Sequence, residues 1–469
     1  MHKDLCCLLL GLLAIALAVS AAAADSFPTG RLVEGVACRK DPTQTYTLYL
    51  PSAYTTDRMW PTLVVMDPRG RSVLAANLFR DAAETYGWIL LSSNDTRSDE
   101  PTGPSIRAIN ALLPDAAFRY ATDRKRLYLA GFSGTAILAW VAATQTGKVA
   151  GVISSGGRTA PETFSSATSF ASFGTAGDAD FNYWEMRRVD AMFEKKGLPH
   201  RLEFFPGPHN WMPESLARAG VEWMEVIAMK QGLRARDPAL VERLYAADLA
   251  AANELAKGGA LLAALRRYRA VAATFDGLRD ISGPRAAARR LEGDRRVKAA
   301  LKDERRWESY EEHYLERMWK VLARLAPPDA VVATTRLEAD LRLDELLQRA
   351  GKGGAEGMAA RRLLETVFTR TSFYMTRDFF AAGRYGDADT VLTVAARIKP
   401  NRPDVWYNLA CVRARTGRVA DAITALRRAV DCGYHDLAHM QSDADLATLR
   451  AQKGYLEIVT RLEGADSHH

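Results

Sequence analysis

Three short segments hold side chains whose types and spacing suit nucleophilic chemistry. The first, Arg126–Thr135, reads RLYLAGFSGT: an apolar run ends in Gly131-Phe132-Ser133-Gly134, and helical spacing starts at Ala136. A serine on a tight strand-to-helix turn is presented for attack, and small residues on both sides relieve the crowding of so sharp a turn. The helix N-terminus beside Ser133 favours negative charge developing there. Thr135 stands where a Gly-x-Ser-x-Gly pattern would have its last glycine. Its extra bulk is expected to crowd helix against strand.

A serine nucleophile needs a base. Between Asp25 and Gly232 the sequence holds only His200 and His209. His200 precedes the last apolar strand, which puts it at the far end of a sheet. His209 follows that strand in the loop FFPGPHNW, at the carboxyl end where α/β sheets gather their sites. The third segment, GTAGDADFNYWEM, offers Asp178 and Asp180 as the acid that holds an imidazole in one tautomer and stabilises its protonated form. Asp180 is the first choice and Asp178 the alternative; either could instead cap the helix that follows. For an oxyanion hole, Gly134 supplies one backbone N–H. The other falls to the loop Asp67-Pro68-Arg69-Gly70-Arg71. Pro68 has no N–H, so Arg69, or else Gly70, is the expected donor.

The elements around these residues must place them. Tyr46–Leu50, Thr62–Met66, Trp88–Ser92, Arg126–Ala130, Ala150–Ser154, Phe170–Gly174 and Arg201–Phe205 are short apolar runs, rich in β-branched or aromatic residues. Runs of this kind fit parallel strands buried on both faces. Between them, Ala75–Tyr86, Ser105–Tyr120, Ala136–Thr144, Trp184–Lys196 and Pro213–Gln231 carry helical spacing. The expected fold class is α/β, a doubly wound and mostly parallel sheet over residues 25–232, followed by an all-α region.

Past Gly232 almost no strand-like run remains. Residues 233–357 are expected to be helical, Arg285–Arg306 reads as a solvated helix face, and Gly351–Gly357 (GKGGAEG) reads as a flexible joint. Residues 358–469 contain a repeat: Gly383, Ala388, Leu392 and Ala395 recur 34 positions later as Gly417, Ala422, Leu426 and Ala429. The glycine allows the turn between paired helices, and the alanines let them approach closely. That period is the tetratricopeptide (TPR) spacing.

Composition excludes several classes. With 48% hydrophobic and 25% charged residues the chain is globular, and a net charge of +7 without long like-charge runs leaves no nucleic-acid footprint. His2, Lys3, the apolar run Leu5–Val19 and the small residues Ser20–Ala24 describe a secretory leader over residues 1–24. The mature chain is therefore expected to be exported, periplasmic or secreted, with no membrane span. After such a cleavage Cys38, Cys411 and Cys432 remain, too few and too odd for a disulfide scaffold. No metal and no cofactor are expected.

Residues 25–232 resemble the α/β-hydrolase superfamily. They look most like small carboxylesterases near the dienelactone hydrolases and feruloyl esterases, through GFSGT at Ser133, GTAGDADFNY, and GPHNW at His209. That resemblance implies attack of Ser133 on a small-molecule or polymer ester and hydrolysis of an acyl-enzyme by water that His209 activates. The C-terminal part resembles TPR proteins, which implies a surface for a protein or peptide partner. Two other readings stand beside this one. A serine peptidase of the same fold would usually carry a propeller or cap, and none precedes Ser133. A TPR scaffold with an inactive hydrolase fold would leave Ser133 far from His209.

Overall fold

A computed structural model of the 469-residue chain describes residues 27–98, 103–157, 164, 168–327 and 332–466. The leader-like segment 1–24 lies outside the described residues. Among the described residues no helix is long and apolar enough to cross a membrane.

The N-terminal part runs β1 (Leu32–Ala37), β2 (Thr45–Tyr49), β3 (Trp60–Met66), α1 (Ser72–Tyr86), β4 (Ile89–Ser93), α2 (Gly103–Arg119), β5 (Thr122–Phe132), α3 (Gly134–Thr146), β6 (Gly151–Ser155), β7 (Ala171–Gly177), α4 (Tyr183–Lys195), β8 (His200–Phe205) and α5 (Glu214–Lys230). The strands form one sheet in the order β1-β2-β4-β3-β5-β6-β7-β8. β1 and β2 pair antiparallel, β2 joins β4 antiparallel, and every later pairing is parallel.

Alternation along the strands feeds two cores. Val64, Met66, Ile89, Leu91, Leu129 and Val152 face α2, α3 and α4. Leu63, Val65, Leu90, Tyr128, Ala130 and Ile153 face α1 and α5. A sheet covered on both sides explains why these strands read as continuous apolar runs. The strand order reverses at β3, with β4 on one side and β5 on the other. In such sheets the crevice at the carboxyl ends of the strands flanking that reversal is where ligands bind. Asp67 follows β3 there and Ser133 follows β5.

β1 is an edge strand that the apolar pattern does not announce. Glu34 and Gly35 lie in its exposed, irregular middle, and only Val36 is buried.

The helical region comprises α6 (Pro238–Lys257), α7 (Leu261–Phe275), α8 (Ser282–Gly293), α9 (Arg295–Leu322), α10 (Thr334–Asp340), α11 (Leu343–Ala350), α12 (Gly354–Thr369), α13 (Met375–Ala381), α14 (Tyr385–Ile398), α15 (Pro403–Arg415), α16 (Val419–Asp431), α17 (Leu437–Ser442) and α18 (Lys453–Asp466). It docks on the sheet layer directly. Val226 and Met229 of α5 share a core with Leu240, Val241 and Leu244 of α6 and with Val271 and Phe275 of α7. A separate core runs from Tyr314 to Leu462. It spans the Gly351–Gly357 segment, which enters α12 rather than forming a loose joint. The charged stretch before α9's midpoint is not wholly a solvated face either, because Glu304 pairs with Arg187 and Arg266 and is largely covered.

In the repeated segment Gly383 and Gly417 both have positive φ, at 68° and 75°. Ala388, Leu392, Ala395, Ala422, Leu426 and Ala429 are all fully buried. The repeated positions therefore share the same burial and the same turn conformation in the two units. Cys38, Cys411 and Cys432 are unpaired.

One buried charge cluster anchors β5, the strand that ends at Ser133. Glu225 of α5 is 1% exposed, accepts a 2.6 Å hydrogen bond from Trp88 Nε1, and pairs with Arg126 and Arg234. Removing it strands the arginines beside an apolar layer. Glu225→Ala is expected to destabilise the fold by about 3–5 kcal/mol, read as a lower urea midpoint, whereas an unchanged midpoint would show the cluster to be dispensable.

Candidate active site

Ser133 sits between β5 and α3 with φ 55° and ψ −126°. Among the described residues only Arg342 shares a positive φ without being glycine. A side chain in that region is strained by about 1–3 kcal/mol, so its surroundings must hold it. The Ser133 N–H donates to Ser155 O on β6 at 2.9 Å. Flanking glycines provide the space. A Cβ on Gly131 would come within 2.4 Å of Thr135 O, and one on Gly134 would come within 2.4 Å of Ser98 Cβ.

Thr135 does not crowd this turn as the sequence suggested. It is fully buried, and its Oγ1 lies 2.6 Å from Met66 O and 2.8 Å from Phe132 O while accepting from Phe132 N–H at 3.1 Å. The hydroxyl stitches the turn to the end of β3. A glycine there would offer neither the donor nor the acceptor.

His209 Nε2 lies 3.0 Å from Ser133 Oγ, and His209 Nδ1 lies 2.9 Å and 3.0 Å from the two oxygens of Asp180. The imidazole is held between Phe132 and Phe181, whose ring centroids are 4.6 Å and 4.2 Å away. Asp180 is fully buried, and the Asn182 N–H donates to its Oδ1 at 2.7 Å. Asn182 Nδ2 in turn donates to Gly156 O at 2.7 Å. Ser133, His209 and Asp180 are thus brought into one hydrogen-bonded line.

Asp178 takes a different part. Its Oδ1 accepts from Gly207 N–H at 3.0 Å, and its own N–H donates to Phe205 O at 2.8 Å. It fastens the acid loop to the loop that carries His209 and does not contact the imidazole. His200, at the opposite end of β8, has its Nδ1 2.9 Å from Leu198 O.

The oxyanion assignment needs a correction at Arg69. Its N–H donates to Asp67 Oδ1 at 2.8 Å, and the Gly70 N–H donates to Asp67 O at 3.1 Å. Both are already engaged within their own loop, the Arg69 N–H by the Asp67 carboxylate and the Gly70 N–H by the Asp67 backbone carbonyl. Gly134 begins α3, where an N–H has no intrahelical acceptor.

Asp67 is the residue that sequence reasoning missed. Fully buried, it accepts from Arg71 Nε at 3.0 Å, from Arg71 Nη2 at 2.8 Å and from Trp211 Nε1 at 2.8 Å. Trp211 lies two residues beyond His209, so Asp67 ties the β3 loop to the histidine loop. Burial alone would raise its carboxyl, but the Arg71, Trp211 and Arg69 hydrogen bonds hold it below the ordinary range. An apolar strand followed by an aspartate was the only sign in the sequence.

Among the described residues one trio, Cys411, Asp443 and Asp445, places metal-type ligand atoms within 4.8 Å of one another. Asp443 is already engaged by Tyr407 Oη at 2.8 Å. Burial, with the nearby Asp443 and Asp445 carboxylates, pushes the Cys411 thiol well above its ordinary value.

The sequence matches no protein-family profile and no curated protein. Over its N-terminal part the chain is similar to solved structures of the α/β-hydrolase fold. One is substrate-bound fluorophosphonate-binding serine hydrolase F of Staphylococcus aureus (13% identity, 42% of this chain and 99% of that one, TM-score 0.36). Another is a thermostable esterase (17%, 40% and 60%, TM-score 0.34). A third is a ferulic acid esterase (15%, 39% and 91%, TM-score 0.32).

The Asp67 geometry has a pH consequence. A carboxyl held low in the folded state stabilises it above the unfolded pKa of about 3.9, and that contribution fades as the pH falls through the lower folded value. The gap in urea midpoint between the native chain and Asp67→Asn is therefore expected to be widest near neutral pH and to shrink below about pH 4. A gap independent of pH would contradict the assigned role.

Proposed function

We propose that the chain is a serine hydrolase that cleaves carboxylic esters through Ser133, His209 and Asp180. The observation that carries this reading is the continuous line from Ser133 Oγ through His209 Nε2 and Nδ1 to Asp180, at 3.0 Å and 2.9 Å. Ser133 Oγ attacks the ester carbonyl as His209 Nε2 takes its proton. Asp180 keeps the Nδ1–H directed toward itself and stabilises the imidazolium. The Gly134 N–H and the start of α3 face the oxyanion as it forms. His209 then returns the proton to the departing alcohol. Water attacks the acyl-Ser133 ester by the same route in reverse, releasing the acid and the free serine. A short Ser133–His209 contact disfavours the scaffold reading with an inactive site.

Two further readings belong to this proposal. The 34-residue spacing supports TPR-like hairpins in α13–α16 with a surface for a peptide partner. The leader-like pattern of residues 1–24 supports export.

Turnover of a short-chain aryl ester tests the chemistry. Ser133→Ala is expected to lower kcat by about 10⁶-fold, and Asp180→Asn by about 10⁴-fold. Asp178→Asn is expected to act far more weakly, since it leaves the imidazole's partner in place. Retained turnover in Ser133→Ala, or equal losses in the two aspartate variants, would defeat the assignment.

A further inference from the structure

The loop that carries Asp180 is gripped from outside the sheet domain. Arg362, on α12 of the helical region, donates from Nη1 to Asp178 O at 3.0 Å. Its guanidinium also lies over the ring of Tyr183, with Cζ 4.5 Å from the centroid, and within 5.5 Å of the Trp184 centroid. Asp178 and Tyr183 bracket Asp180 in sequence. Between them the loop is tightly turned, with Asp180 N–H donating to Gly177 O at 3.1 Å and Tyr183 N–H to Asp180 O at 3.0 Å.

The grip is built for direction. Arg362 and Glu311 of α9 are both buried, at 7% and 4% side-chain exposure. Arg362 Nε lies 3.0 Å and 3.2 Å from the two Glu311 oxygens, and Nη2 lies 2.6 Å from Oε1. The Nε/Nη2 edge of the planar guanidinium is thus fixed by one carboxylate, and Nη1 donates to the Asp178 carbonyl. A lysine has no such fork. Burial raises the Glu311 carboxyl while Arg362 opposes that rise. An isolated buried carboxylate or guanidinium would be costly, so each is present because of the other. Neighbouring pairs hold α9 against α4, with Arg187 on Glu304 and Arg188 on Glu308 and Glu312.

From these contacts we infer that Arg362 is a positioning residue for Asp180, so that the helical region completes the active site and is not only a surface for partners. The inference rests on the reading of Ser133, His209 and Asp180 given above. Through Asp178 the grip reaches the histidine as well, since Asp178 Oδ1 accepts from Gly207 N–H, two residues before His209. Without Arg362 the acid loop loses its outer restraint, and the carboxylate no longer stays in line with His209 Nδ1. A misplacement of about 1 Å in such a constellation lowers turnover by about 10²-fold.

The test is a double-mutant cycle on the full chain, with kcat per active site titrated by a fluorophosphonate. Arg362→Met is expected to lower kcat by about 10²-fold with KM nearly unchanged. The acid limb of its kcat/KM profile is expected to move to lower pH, because a carboxylate that drifts away stabilises the imidazolium less. In the Asp180→Asn background the same substitution is expected to change kcat by less than about 3-fold. Arg362→Lys, which keeps the charge and loses the fork, is expected to fall with Arg362→Met. Equal losses in both backgrounds, an unmoved pH profile, or full rescue by lysine would overturn the role while leaving the triad standing. Should Arg362→Met fail to accumulate, Glu311→Gln is read by the same cycle. Absence of Ser133-dependent turnover in the native chain would overturn the triad and the positioning role together.

Discussion

The site depends on keeping Ser133 in a backbone conformation that a residue with a side chain resists. Its φ of 55° is tolerable only because the neighbourhood fixes both flanks of the turn. Gly131 and Gly134 keep the space open, the Ser133 N–H is spent on β6, and Thr135 ties the turn back to β3. β3 and β5 are adjacent and parallel, and their ends flank the point where the strand order reverses. The strain is thus held by the most deeply buried part of the sheet, where opening would cost the most.

From that point the restraint spreads through short polar links between loops. Asp67 after β3 holds Trp211 beyond His209, Ser155 at the end of β6 donates to Asn210 O, and Asp178 after β7 holds Gly207. Each carboxyl-end loop is fastened to the histidine loop rather than left to find its own position. Arg362 extends this network into the helical region. Arg201 does the same from β8, with Nη1 2.7 Å and Nη2 3.0 Å from the carboxylate of Asp248 on α6. The two parts of the chain share a core at α5, so the helices behave as a buttress to the sheet.

Much of this was legible in the sequence. Strands buried on both faces announce themselves as unbroken apolar runs, and Ser133, Asp180 and His209 each follow such a run. β1 escaped because an edge strand with one exposed face needs no apolar run. Thr135 was misread as bulk because its hydroxyl finds partners only once β3 lies alongside β5. Arg69 was misassigned because nothing local says that the Asp67 carboxylate turns back to take its N–H. The Arg362 contact could not be read at all: it joins residues 184 apart, and in the sequence Arg362 is one arginine among many on helices.

The central claim is that Ser133 is a nucleophile made reactive by His209. The most direct measurement is peptide mass mapping after brief treatment of the full chain with a fluorophosphonate, in the native sequence and in His209→Ala. The account predicts one stoichiometric adduct, on the peptide that contains Ser133, formed orders of magnitude more slowly when His209 is replaced. An adduct on another residue, or labelling of Ser133 at the same rate without His209, would contradict it.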